Sequence, residues 1–311
     1  MRFMSFLVVA SLLVACSDDT DRQAGQSPDL RTEFGEDTSP APPEDVGGDS
    51  DTTEDISEMI ADVADVVPEP DSSPDGGEPH LPPPPFGDDW ISIPGGSFEM
   101  GCEDAPCHAD EAPVHTVILS PYFILRTEVS RGAYLQCVDD GTCGNPTSDE
   151  YDGEDDLDLP ATGLAWDQAE VYCQWISARL PTEAEWERAC TGGDGRTYPW
   201  GEEEPTCEFA NTDGCGGKMA VDSLEAGAGP EGVLHMAGNV WEWVADWYAD
   251  DAYAHHEPTN PGGPETGEKR VYRGGSAGNL SNLARCQNRA SSYNPNYGGT
   301  GLGFRCVYDG K

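Results

Sequence analysis

Apolar positions along this chain fall into three regimes. Phe3 to Val14 is a short apolar run behind Arg2. From Ser17 to about Pro85 apolar residues are sparse, except that Ile56, Met59, Ile60, Val63, Val66 and Val67 recur at helical spacing between Asp55, Glu58, Asp62 and Asp65. From Trp90 onward the patterns are brief and varied. Trp90 to Met100 reads as a strand, a Gly turn and a second strand, and Pro113 to Leu119 alternates as a strand. Ala133, Tyr134, Cys137 and Val138 predict a helix over Ser130 to Val138, with Ser130 as its N-cap, and Asn145 to Leu159 predicts an acidic loop. Two more helices are predicted by capping boxes, Asp167 with Glu170 and Thr182 with Glu185. Ala169, Tyr172, Cys173 and Ile176 form the inner face of the first, and Trp186 and Ala189 begin that of the second. Ala210 to Trp243 reads as loop with one apolar stop at Val233-Leu234; Val271 to Ser276 is a strand entering a Gly turn, and Gly303 to Val307 a closing strand. With 37 Gly and 26 Pro, the domain is expected to be loop-rich.

The first regime is too short to span a bilayer. Leu13-Val14-Ala15-Cys16 matches a lipobox, which predicts a signal peptide over 1–16 and lipidation of Cys16; the alternative is an ordinary secretory signal with an incidental cysteine. Ser17 after the cysteine, rather than Asp, points to the outer membrane of a Gram-negative bacterium and to a lipid-anchored place in the cell envelope. Residues 17–85 hold 20 Asp and Glu against Arg22 and Arg31, and end in Pro82 to Pro85. Such a segment buries too little apolar surface to offset chain entropy, so an extended, disordered acidic stalk is expected, stiffened at its end. The 56–67 pattern is either a transient helix within it or a short docking helix. Of the net charge of −43, −26 falls on 86–311, which excludes nucleic acid as a partner and suits divalent cations, a basic partner or plain solubility.

Ten cysteines follow Cys16, an even number that outside the cytosol implies disulfides. Cys102 with Cys107, Cys137 with Cys143, and Cys207 with Cys215 are close in sequence and are read as pairs. A metal reading of Cys102, Cys107 and His108 lacks a fourth ligand. Arg273, Arg285, Arg289 and Arg305 either pair with internal carboxylates or form a cationic patch for an anionic ligand.

Five blocks run in order through this domain: Phe98-Glu99-Met100-Gly101, Arg179-Leu180-Pro181-Thr182-Glu183-Ala184-Glu185-Trp186-Glu187, Gly238-Asn239-Val240-Trp241-Glu242-Trp243, Tyr272-Arg273-Gly274-Gly275-Ser276 and Gly303-Phe304-Arg305. From about Trp90 to Tyr308 the chain resembles the formylglycine-generating enzyme (sulfatase-modifying factor) family. The resemblance implies an α+β fold related to C-type lectins, with low regular secondary structure and many disulfides, over 86–311. It also implies the pairs Cys173–Cys306 and Cys190–Cys286. The family's activity is oxidation of a substrate cysteine to an aldehyde with O2 and copper(I), which two cysteines just after the Arg-Gly-Gly-Ser turn hold as soft thiolates. Here Asn279 stands where the first is expected, and no cysteine follows before Cys286. Copper oxidase chemistry is therefore not expected.

Trp241, Ser276 and Asn279 remain as cleft candidates, and Tyr293-Asn294-Pro295-Asn296-Tyr297 as a contact loop. Calcium is the family's other cofactor. One implied site uses the backbone oxygens of Gly238 and Val240 and the carboxylate of Glu242, with His235 where an Asp or Asn usually completes it. The second uses Asn211 and the oxygen of Thr212, with Asp213 or Asp222 as a further acid. A transition metal on His235 and Glu242 lacks a third ligand. The expected function is a binding module for a protein, peptide or glycan; the alternative is an oxidoreductase of the family, and a third reading is a structural spacer in an envelope complex.

Overall fold

The computed structural model describes residues 89–103, 106–147, 156–296 and 298–310. The lipobox with Cys16, the acidic stalk, the 56–67 apolar pattern, part of the 145–159 loop and Tyr297 lie outside the described residues. Among the described residues no helix is long and apolar enough to cross a membrane.

Three small sheets and three helices carry the domain. β1 (Trp90–Ile93) pairs antiparallel with β4 (Tyr122–Leu125), which pairs with β9 (Val307–Tyr308), so the two ends of the domain share one sheet. β2 (Gly96–Met100) and β3 (His115–Leu119) form a separate antiparallel pair. The third sheet has the order β7 (Arg289–Ala290), β6 (Arg270–Arg273), β5 (Trp241–Trp247), β8 (Leu302–Phe304), with β5 and β8 parallel. β5 corrects the expectation of loop through Trp243. Its first four residues are all buried, Glu242 among them, because the sheet is covered on both faces there and Arg305 pairs with the acid.

The helix starts divide in an instructive way. α1 (Arg131–Asp139) is capped by Ser130, whose hydroxyl accepts from Ala133 N at 3.2 Å. α3 (Glu183–Thr191) has both halves of its capping box: Thr182 Oγ1 accepts from Glu185 N at 3.2 Å, and Glu185 Oε2 from Thr182 N at 2.8 Å. α2 (Trp166–Trp175) starts earlier than the Asp167–Glu170 box predicts. Its N-cap is Ala165, Gln168 Oε1 reaches back to Ala165 N at 3.1 Å, and Pro295 O takes the Trp166 N–H at 2.8 Å. A carbonyl from a distant loop thus satisfies an orphan amide that a local cap would otherwise serve.

Two apolar clusters fill the interior. One packs Trp186 and Ala189 of α3 against Ile93, Phe98, Ile124 and Val244. The other joins α1, α2 and the third sheet through Tyr134, Tyr172, Trp243 and Phe304, where Tyr134 and Tyr172 stack at 5.7 Å and Phe304 meets Tyr172 edge-on at 5.4 Å. Each such aromatic contributes roughly 4–6 kcal/mol of gross burial. Five disulfides tie these layers: Cys102–Cys107, Cys137–Cys143, Cys173–Cys306, Cys190–Cys286 and Cys207–Cys215. They use all ten cysteines that follow Cys16. The metal reading of Cys102, Cys107 and His108 therefore does not hold for the oxidised protein.

Candidate functional site

The ordered sequence blocks meet through buried charge. Arg305 Nε and Nη2 donate to Glu242 at 2.7 and 2.6 Å, and Trp186 Nε1 donates to the same carboxylate at 2.9 Å. Arg273 pairs with Glu187, Arg289 holds Glu183 at 2.9 and 2.7 Å, and Arg285 holds Glu111 at 2.9 and 2.8 Å. Arg179 grips Glu185 with two bonds of 2.7 Å. Burial alone would raise the Glu183 carboxyl, but Arg289 and Arg273 hold it below the usual carboxylate range. For Glu187 the balance is reversed: burial outweighs Arg273 and raises it. The cationic-patch alternative is thereby corrected. All four candidate arginines are buried in internal ion pairs or carbonyl contacts.

The Gly238 block is equally structural. Gly238 has φ +85°, and a Cβ there would lie 2.4 Å from Asn211 O. Asn239, also left-handed at φ 61°, donates from Nδ2 to Glu128 Oε1 at 2.9 Å and accepts from Asn211 Nδ2 at 3.0 Å and Met219 N at 2.9 Å. Glu128 keeps Oε2 buried without a partner, and burial pushes its carboxyl up to about 8.

Against this frame sits a cleft of about 300 Å³ walled by Trp241, Tyr272, Asn279, Leu283, Tyr293 and His108. β5 supplies Trp241, 5% exposed, and β6 supplies Tyr272, whose ring meets Trp241 edge-on at 5.0 Å. Trp241 is therefore both core packing and cleft wall. Tyr293 lies 5.1 Å from Tyr272, and burial raises its phenol. Tyr272 OH and Ser292 Oγ are 2.5 Å apart. The Gly274-Gly275 turn, at φ 96° and 78°, delivers Ser276, which is 8% exposed and donates from Oγ to Asn279 Oδ1 at 2.6 Å. Trp241, Ser276 and Asn279 thus come together, with Asn279 facing the cleft. Tyr272, Ser292 and Asn288 line it too and were not singled out from the sequence. Tyr272 sits on a recognised block, whereas Ser292 and Asn288 lie in short irregular segments that carry no pattern. A second hollow of about 330 Å³, walled by His255, His256 and Pro261 to Pro264, contains none of the block residues.

The two calcium sets differ in their fit. Both Glu242 oxygens are taken by Arg305, so a cation there would have to displace a guanidinium. His235 adds a neutral imidazole: burial, then Arg305, lowers it to about 4. This set does not fit a hard cation, and it also lacks the ligands for a transition metal, since His235 and Glu242 belong to no three-ligand group among the described residues. At the other set Asn211 Oδ1 is buried with no partner. Thr212 is buried beside it and Asp213 is exposed, and Asp213 N donates to Asn279 O at 2.8 Å. Asp222 is exposed as well. A buried amide oxygen without a partner is a donor that an oxygen-coordinated cation can take.

The sulfatase-modifying factor enzyme 1-like domain family matches residues 81–310. The formylglycine-generating enzyme of Thermomonospora curvata is 32% identical over 285 residues, covering 70% of this chain and 93% of that protein. The serine/threonine-protein kinase pkn1 of Chlamydia pneumoniae is 33% identical over 250 residues, 72% of this chain, but the chain spans only 38% of its length. Among solved structures, PvdO from Pseudomonas aeruginosa aligns with a TM-score of 0.61 at 26% identity, over 70% of this chain and 93% of that one.

Proposed function

This chain belongs to the sulfatase-modifying factor family, and from that premise we propose that it is a cell-envelope lipoprotein whose family domain binds a ligand rather than oxidising one. Lipidated Cys16 holds it in the membrane, in the outer membrane of a Gram-negative cell, and the acidic stalk carries the domain outward. The observation that carries the reading is the donor set of the cleft. Asn279 faces it where a copper thiolate is expected, and every cysteine after Cys16 is in a disulfide. A neutral amide is not a soft ligand for Cu(I). What the cleft offers instead is aromatic edges, amides and hydroxyls, with its arginine tied to Glu183. That surface suits a neutral peptide or glycan segment.

Peptide and glycan arrays probed with the full chain test this. A ligand that binds wild type is expected to lose about tenfold in affinity with Tyr293→Ala, in keeping with loss of one aromatic contact, while the circular dichroism is unchanged. A ligand whose affinity ignores Tyr293→Ala binds elsewhere.

Calcium at Asn211, Thr212 and Asp213 belongs to the same proposal. The Asp213 N to Asn279 O bond links that loop to the cleft, so a cation there would brace the cleft wall. Calcium is expected to raise the melting temperature with the logarithm of its concentration above Kd, and Asn211→Ala is expected to abolish the rise. A rise that survives Asn211→Ala rules this site out.

The second reading, an oxidoreductase of the family, rests on likeness to a formylglycine-generating enzyme along 93% of that protein's length.

A further inference from the structure

Two amide side chains on the cleft, Asn288 and Asn279, have hydrogen-bonding capacity that the fold leaves unused. Asn288 is 1% exposed and lines the cleft. Its Nδ2 donates to Glu111 Oε1 at 3.1 Å. Glu111, ion-paired with Arg285, can only accept, so the N–H end of the Asn288 amide must face it and Oδ1 is turned the other way. That Oδ1 is buried with no partner. Asn279 lies half-buried on the same cleft. Its Oδ1 takes the Ser276 hydroxyl at 2.6 Å, and its Nδ2 donates to nothing among the described residues. The cleft therefore keeps one acceptor and one donor for a ligand.

Other polar groups of the wall are committed. Tyr272 OH accepts from Ser292 N at 3.0 Å and lies 2.5 Å from Ser292 Oγ. Arg289 holds Glu183 through Nε and Nη2, and its Nη1 donates to Asp110 O at 2.9 Å and Ala249 O at 3.2 Å. Its charge is not available to an anionic ligand.

Resting on the binding reading of this cleft, we propose that its ligand is an N-acetylated amino sugar, recognised through the acetamido group. The amide N–H donates to Asn288 Oδ1, the carbonyl accepts from Asn279 Nδ2, and the apolar faces of the acetyl group and ring meet Leu283 and Tyr293. A buried acceptor without a partner carries a desolvation cost that a ligand N–H relieves on binding. A secondary amide is neutral and carries one donor and one acceptor on opposite edges, which matches what the two asparagines leave over. A cleft of about 300 Å³ is at the small end for ligand sites, and it suits a single sugar unit better than an extended peptide of several residues. Ser292, exposed on the wall, has acceptor capacity for a ring hydroxyl.

The test titrates ¹⁵N-labelled full chain with methyl N-acetyl-β-glucosaminide and with methyl 2-O-acetyl-β-glucoside, followed by NMR. The ester keeps the carbonyl and the shape, but it sets an oxygen lone pair against Asn288 Oδ1 in place of the N–H. The amide is expected to bind and to shift the side-chain resonances of Asn279 and Asn288. The ester is expected to bind at least about tenfold more weakly. Asn279→Asp keeps an oxygen for Ser276 and loses the donor, and is expected to weaken the amide about tenfold. Equal affinity for amide and ester would overturn the proposal, as would a glucosaminide that does not bind. N-acetyl-alanine N-methylamide is titrated in parallel, and tighter binding of this peptide mimic would assign the amide to a peptide and overturn the sugar. The arrays with Tyr293→Ala separate the two levels of failure. An array ligand lost in Tyr293→Ala, with no glucosaminide bound, sinks this inference and leaves the binding reading standing.

Discussion

At Arg305 a guanidinium with 0% exposure meets Glu242, also at 0%, and three backbone carbonyls take its remaining donors: Leu125 and Arg126 at 3.2 Å and Leu234 at 2.9 Å. A buried pair of this kind adds little net stability over an apolar pair of equal volume, yet removing one partner strands a charge. Arg305→Met is accordingly expected to cost about 3–5 kcal/mol, read from urea unfolding. Pairing it with Glu242→Leu is expected to recover most of that loss. A double variant as unstable as the single one would show that the carbonyl contacts, not the stranded carboxylate, set the cost. Glu242 reads as an oxygen ligand and the four arginines as a possible anion site, because a sequence shows charges but not which charge each will meet. Asn279, by contrast, was legible from its position alone. The consequence of an amide for a thiolate follows from ligand chemistry and needs no coordinates.

Among the elements, α2 and α3 separate local from tertiary control. α3 carries its whole start signal within four residues, Thr182 to Glu185, and the helix begins there. α2 carries a similar signal at Asp167 to Glu170, but Pro295 O captures Trp166 N and the helix begins one turn-fraction earlier. Asp167 is left exposed in the first turn, where its side chain accepts from Gln168 N at 3.0 Å. Thr182→Ala is therefore expected to cost about 1 kcal/mol, and Asp167→Ala to stay within about 0.5 kcal/mol, in chemical denaturation. Equal losses would return the cap of α2 to Asp167. Strands followed the same division. β1, β2 and β3 alternate or flank turns and are readable, whereas β5 is buried at each of its first four positions, Glu242 included, so its burial does not follow its sequence. The disulfides between distant cysteines, such as Cys173–Cys306 across 133 residues, were reached through the family resemblance and not from spacing.

Across the whole molecule, the order and types of the five blocks encode one assembly. Each block supplies a partner to another: Glu187 takes Gly101 N at 2.7 Å and pairs with Arg273, Trp186 Nε1 donates to Glu242 at 2.9 Å, and Glu242 pairs with Arg305. The signatures that mark the family here are therefore conditions for folding, and they persist without the thiolates that would make the cleft an oxidase. Carrying a net charge of −43, the chain has only 16 Lys and Arg, and two of them, Arg273 and Arg305, are fully buried where the blocks meet. The most direct test of that account is catalysis. The full chain, with its disulfides intact, is supplied with copper(I) and air and given a peptide containing Cys-x-Pro-x-Arg, and mass spectrometry follows conversion of the cysteine to an aldehyde. The account predicts no aldehyde above the rate given by free copper, and no copper retained by the protein. Turnover above that rate would contradict it, and would mean that residues other than a cysteine pair after Ser276 hold the metal.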